Sequence, residues 1–197
     1  MISQPLAGRT ILDLCGGTGS WSKPYADAGY NVRIVDNGLN GFDAQDVRFF
    51  KKFDTEFLKP IHGVLAAPPC THFSGSGARW WREKGDVALL DGLSIVDACL
   101  RIVLIENPTF WCLENPVGRL NHYIGKPKHY FHPHFYGDGY TKKTALWGNF
   151  NMPGQTHFLN ESEIDDRIHK MPPSKDRAKL RSITPPGFAK AFFEANP

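Results

Sequence analysis

The chain has 197 residues, enough for one domain with a proper core and no need of disulfide staples. Hydrophobic residues make up 41% and charged residues 22%, the balance of a soluble globular protein, and a net charge of +3 permits contact with a polyanion without demanding it. No charged-then-apolar leader and no apolar run of about 18 residues occurs, so secretion and membrane spanning are not expected and a cytoplasmic location is.

Thr10 to Leu14 reads as a buried strand running into the turn Gly16-Gly17-Thr18-Gly19. Ser22 to Ala28 follows as a helix stopped by Gly29, and Asn31 to Asp36 as a second strand ending on an acid. Gly63 to Ala67 is a third, continuously apolar strand. Leu89, Leu93, Val96, Leu100 and Val103, at spacings of four and three, form a helix stripe. Phe110 to Leu113 and Lys143 to Phe150 read as further strands, and Pro186 to Ala195 as a final helix. Continuous rather than alternating apolarity fits a parallel sheet covered on both faces. Strands separated by helical segments predict a doubly wound, Rossmann-like α/β sheet with ligands at the carboxyl ends of its strands. Asn151 to Arg181 is polar and turn-rich and reads as surface structure within a single domain spanning 1–197; no internal repeat is found.

A glycine turn after a strand brings backbone N–H groups close to an anionic or polar ligand at a helix start. Asp36, roughly 20 residues on, can accept both hydroxyls of a ribose. Both features suit a dinucleotide as well as S-adenosylmethionine. Cys15, Cys70, Cys99 and Cys112 show no CxxC spacing and no small-secreted-domain pattern, and read as free thiols in a reducing cytoplasm. Cys70 differs from the others because it closes Pro68-Pro69-Cys70 at the end of an apolar strand, where a thiol can act as a nucleophile. Glu-Asn-Pro occurs twice, at 106–108 and at 114–116. The second copy is the candidate acid, because the strand-like Phe110 to Leu113 precedes it. His129 to His134 holds three histidines with no cysteine or carboxylate at site spacing, so a metal is not expected.

Taken in order, Thr10 to Trp21 with its Asp13-Leu14-Cys15-Gly16-Gly17-Thr18-Gly19, then Pro68-Pro69-Cys70, then Trp111-Cys112-Leu113-Glu114-Asn115-Pro116 resemble motifs I, IV and VI of the cytosine-C5 methyltransferase family, which acts on DNA and, in one branch, on tRNA. The resemblance runs from about Thr10 to Gly118 and resumes from Ser182 to Phe192. It implies the methyltransferase form of the sheet, mostly parallel and seven-stranded, and S-adenosylmethionine as cofactor. Asp13, Cys15, Gly17, Thr18, Gly19, Asp36 and Pro68 would line the cofactor site, with Asp46 as the motif III acid toward the adenine amine. Cys15 stands where the family usually has Phe, and Trp21 could take over the ring contact. Cys70 would add to C6 of cytosine, with Glu114 at N3 and N4 of the ring. Enzymes that methylate exocyclic amines instead carry Asp/Asn-Pro-Pro-aromatic at this point.

The family's Gln-x-Arg-x-Arg element is replaced by Thr141-Lys142-Lys143-Thr144, which makes Lys142 a candidate substrate contact and Lys143 a candidate catalytic cation. The segment after the nucleophile is a mobile loop in the family. Here Ser74, Arg79, Trp80 and Arg82 would meet phosphates and stack on bases, though a plain helix start reads equally well. Ser182 and Thr184 fall in the resemblance to motif X, a turn that closes the cofactor pocket. Only Gly148 to Arg181 is available for target recognition, with 151–181 standing in place of the usual domain. The resemblance therefore implies a monomer acting on single- or double-stranded DNA, with little sequence preference or a protein partner that supplies it, of a kind suited to a phage or prophage. RNA or a free nucleotide as substrate, or a binding module of this fold without turnover, are the alternatives.

Overall fold

The computed structural model describes residues 8–38, 45–58 and 60–197. In chain order its elements are β1 (Thr10–Leu14), α1 (Lys23–Asp27), β2 (Asn31–Val35), β3 (Ile61–Ala66), α2 (Trp81–Glu106), β4 (Phe110–Pro116), α3 (Asn121–Ile124), β5 (His129–Phe131), β6 (Thr144–Asn149), α4 (Arg167–Lys170), α5 (Arg177–Ser182) and α6 (Pro186–Ala195). The strands expected in the first 116 residues and the final helix are all present. β5, three residues long, is not among the elements the sequence predicted.

Among the described residues the sheet has six strands in the order β2-β1-β3-β4-β6-β5. β2, β1, β3 and β4 pair in parallel, whereas β6 runs antiparallel to both β4 and β5. The expectation of a mostly parallel, seven-stranded sheet is corrected on both counts: the sheet is mixed and six-stranded. The cause lies between β5 and β6. That connection holds a short turn at Pro133–Tyr136 and Gly137 at φ 94, with no crossover helix. Residues 132–143 turn the chain back without an α-helix, and β6 inserts between β4 and β5 antiparallel to both. Beyond Asn149, the described chain forms helices and irregular structure rather than a seventh strand.

Successive side chains of a strand face opposite sides of the sheet, and here both sides are apolar. Ile11, Leu65, Cys112 and Leu146 pack under Tyr25 of α1 and Phe188 and Phe192 of α6. Leu12, Val64, Leu113 and Ala145 pack under Val96, Cys99 and Ile102 of α2. Two covered faces explain why the strands read as unbroken apolar runs. Each fully buried large side chain contributes about 1.5–3 kcal/mol, so α2 and α6 fix the two outer layers. β5 is held at the sheet edge partly because the Phe131 and Phe188 rings stack 3.7 Å apart.

α2 is broken at Gly85 (φ 69), where a side chain would strain the backbone. It stops at Asn107, which adopts the left-handed conformation (φ 45) and donates its N–H to the Val103 carbonyl before Pro108. Pro186 opens α6 at a position where its missing N–H costs nothing. Among the described residues no helix is long and apolar enough to cross a membrane.

Candidate active site

The carboxyl ends of β1, β3 and β4 open into one cleft, the usual place for a ligand in an open α/β sheet. Its floor is the turn after β1, where Asp13, Cys15, Gly16, Gly17 and Thr18 line it together with Trp21. The backbone there is sharply folded, with Cys15 at φ 57 and Gly17 at φ 53. Left-handed backbone at a non-glycine residue costs about 1–3 kcal/mol and persists only where surroundings hold it. The Cys15 N–H donates to the Val35 carbonyl at 2.7 Å, which supplies part of that hold. A side chain at Gly16 would collide with the Asp13 carboxyl group beneath the turn.

Asp13 is fully buried. The Ser22 hydroxyl donates to its Oδ2 at 2.5 Å, while Oδ1 has no hydrogen-bond partner among the described residues. Burial pushes this carboxyl up to about 7, against the lowering effect of Ser22 and with a further push from Asp36. Asp36 lies beside the turn and accepts from the backbone N–H groups of Gly17 (2.9 Å) and Gly38 (2.7 Å). The C-terminal segment closes over the same turn: Ser20 donates to the Thr184 carbonyl at 2.7 Å, and Ser182 and Thr184 line the cleft.

Ala67, Pro68, Pro69 and Cys70, which follow β3, and Glu114 and Pro116 of the neighbouring β4 complete the lining. The loops that carry them are stitched together. Asn115 is buried and donates from Nδ2 to the Pro68 carbonyl at 2.9 Å. Gly75 donates to the Val117 carbonyl, Arg119 to the Phe73 carbonyl, and Ser74 bridges to Gly118. Gly118 admits no side chain, because a Cβ would collide with the Phe73 carbonyl oxygen. This lacing fixes the Cys70 loop against the end of β4, which carries Glu114.

Glu114 is 8% exposed, and its Oε2 has no hydrogen-bond partner among the described residues. Burial raises its carboxyl above the usual carboxylate range, with Lys142 acting in the opposite direction. Burial likewise raises the half-buried Cys70 thiol, with a further push from Glu114; Lys142 and Arg181 pull it back down. Both cations line the cleft.

Of the remaining sequence candidates, Lys142 and Trp21 line the cleft and the others lie outside its lining. Lys142 is buried in the cleft, but the next residue, Lys143, puts its ammonium 5.1 Å over the Tyr130 ring. Asp46 caps the turn Val47–Phe49 and binds the Arg48 guanidinium, which holds its carboxyl below the usual range. Ser74 bonds to Ser76, and Arg79 stacks on the half-exposed Trp80 ring at 5.1 Å, beside the exposed Arg82. Gly19, also at positive φ, packs its backbone against the Ile34 side chain rather than into the cleft. Trp21 serves twice, lining the cleft and packing on Phe188 and Phe192. The residue that sequence reading did not single out is Arg181. Its only signal was its place directly before the Ser182 to Phe192 element. No group of three or more His, Cys, Asp or Glu residues among those described is arranged to hold a metal ion.

No family model matches the chain, and no curated protein matches it by sequence. Among solved structures, it is similar to a protein encoded within an Escherichia coli prophage and assigned as a DNA modification methyltransferase. The two are 20% identical with a TM-score of 0.48, over 71% of this chain and 46% of the other, so this chain spans less than half the length of that neighbour. At that score and identity, the likeness says nothing of chemistry.

Proposed function

We propose that the protein transfers a methyl group from S-adenosylmethionine to C5 of cytosine in DNA, through a covalent bond between Cys70 and C6 of the base. The observation that carries this reading is the convergence in one cleft of a thiol, a buried acid and a glycine turn, from segments more than forty residues apart in sequence. A module that only binds has no need of both Cys70 and Glu114.

The residues present fit that cofactor. Asp13 offers an unpartnered carboxyl oxygen suited to a cationic group, Asp36 stands where it could meet a ribose, and Trp21 and the backbone of Cys15 to Thr18 form a surface for a flat ring. When bound, S-adenosylmethionine supplies an electrophilic methyl group. The chain's part is to make C5 nucleophilic. Cys70, as the thiolate, bonds to C6, and the displaced ring π electrons pass toward N3, where Glu114 in its protonated form donates a hydrogen bond. Burial favours that protonated form. After methylation, a base removes the C5 proton and the Cys70–C6 bond breaks, restoring the aromatic ring and freeing the thiolate. Asn115, through its bond to the Pro68 carbonyl, holds thiol and acid in register. The short 151–181 segment favours a single-stranded or loosely read target over a long duplex site.

Incubation with methyl-labelled S-adenosylmethionine and single-stranded DNA, duplex DNA, RNA or deoxycytidine nucleotides, followed by digestion to nucleosides, tests this. Label in 5-methyldeoxycytidine is expected. Cofactor binding with no labelled nucleoside from any substrate would make the protein a binding module, and label in N4-methyldeoxycytidine would overturn the covalent route.

A further inference from the structure

Arg181 occupies the last turn of α5, within a stretch that also carries Lys170, Lys175, Arg177 and Lys179. Among these, Arg181 is the residue that lines the cleft. It is half-buried, and no hydrogen bond or ion pair ties its guanidinium to another described residue. Lys142 lines the same cleft and is more deeply buried; its carbonyl accepts from the Thr144 hydroxyl, while its ammonium has no hydrogen-bond or ion-pair partner among the described residues. Two such cations are costly unless something negative joins them. Cys70, whose ionised sulfur would be such a group, lines the same cleft as both cations.

We propose that Arg181 is a positioning residue that, together with Lys142, forms a two-cation wall holding the Cys70 sulfur as a thiolate. The proton leaves the thiol for solvent and no bond to carbon forms in this step; the wall lowers the cost of the charge that remains. The groups that face Cys70 act in two directions. Glu114 from β4 and burial oppose ionisation, whereas Lys142 from the segment before β6 and Arg181 from α5 favour it. Asp13 and Cys15 sit at the far, β1 end of the cleft. The 167–181 stretch then acts as the carrier of a charge the thiol requires. As a catalytic device the wall rests on the cytosine reading above; its effect on the thiol does not.

The test is the pH dependence of iodoacetamide alkylation at Cys70, read by peptide mass spectrometry so that Cys15 is resolved separately. In the Arg181→Met protein, alkylation at neutral pH is expected to slow about three- to tenfold, with the profile displaced to higher pH. Arg181→Lys should restore most of the rate, and Lys179→Met, on the same helix but outside the cleft lining, should leave the profile unmoved. An Arg181→Met profile superimposed on the wild-type one overturns the proposal. Trapping on an oligonucleotide containing 5-fluorocytosine separates the two claims. A displaced profile with no trapping by wild-type protein supports the wall and removes the cytosine reading. An unmoved profile with equal trapping by both proteins removes the wall and leaves the reading.

Discussion

The tripeptides at 106–108 and 114–116 have the same residues and opposite uses. Glu106-Asn107-Pro108 closes a helix: Asn107 takes the left-handed conformation, and the buried Glu106 accepts a hydrogen bond from Thr55 at 2.7 Å. Glu114-Asn115-Pro116 ends a strand: Asn115 laces the thiol loop, and Glu114 turns a partnerless oxygen toward a cleft. A carboxyl bonded within the core belongs to the fold. One buried with acceptor capacity left over is available to a ligand. The difference lies in what the neighbouring elements supply, not in the tripeptide.

The comparison breaks most sharply at the residue facing only the second copy. Cys70→Ala should reduce methyl transfer by at least about a thousandfold, since the covalent route has no substitute, while cofactor binding measured by calorimetry stays within a few-fold. Next, Glu114→Gln should lower kcat by about 10²–10⁴-fold. Glu106→Gln should leave kcat within a few-fold and instead lower stability by about 1–3 kcal/mol, read from denaturant unfolding. Equal kinetic losses in the two glutamate variants would erase the distinction.

Asp13 gives the third outcome. Its folded value near 7 lies above the ordinary 3.8, so the native state binds more protons than the unfolded chain between those values. The favourable contribution is complete below about pH 4 and is lost as pH rises through 7. Asp13→Asn should flatten the fall in stability over that window, a change of up to a few kcal/mol. A wild-type slope retained in the variant would place the proton elsewhere. The smallest effects separate the two asparagines. Asn115→Ala should cost about 1–3 kcal/mol and slow catalysis by loosening the Cys70 loop, whereas Asn107→Gly should change stability by no more than about 1 kcal/mol and leave catalysis unchanged.

The sequence carried most of this in its first 116 residues. Strands covered on both faces announce themselves as apolar runs, and the glycine turn, Cys70 and Glu114 each follow such a run. What was illegible depends on long-range pairing. β5 is too short for a periodic signal and exists because β6 and Phe188 receive it. Lys142 and Lys143 are equivalent in sequence, yet the approach to β6 buries one and turns the other to Tyr130. Arg181 reaches the cleft from a site 111 residues beyond Cys70 (181 − 70), a closure that no local pattern encodes. The mixed sheet follows from the missing crossover between β5 and β6, a property of a connection rather than of any strand.

The proposed chemistry requires a bond between Cys70 and a pyrimidine ring, and mass spectrometry of the intact protein reads it directly. With S-adenosylmethionine and a short oligonucleotide containing 5-fluoro-2′-deoxycytidine, the protein should gain the mass of one oligonucleotide plus a methyl group, mapped to Cys70 and absent from Cys70→Ala. The same adduct on Cys70→Ala, or none on wild-type protein that methylates unmodified DNA, would contradict it.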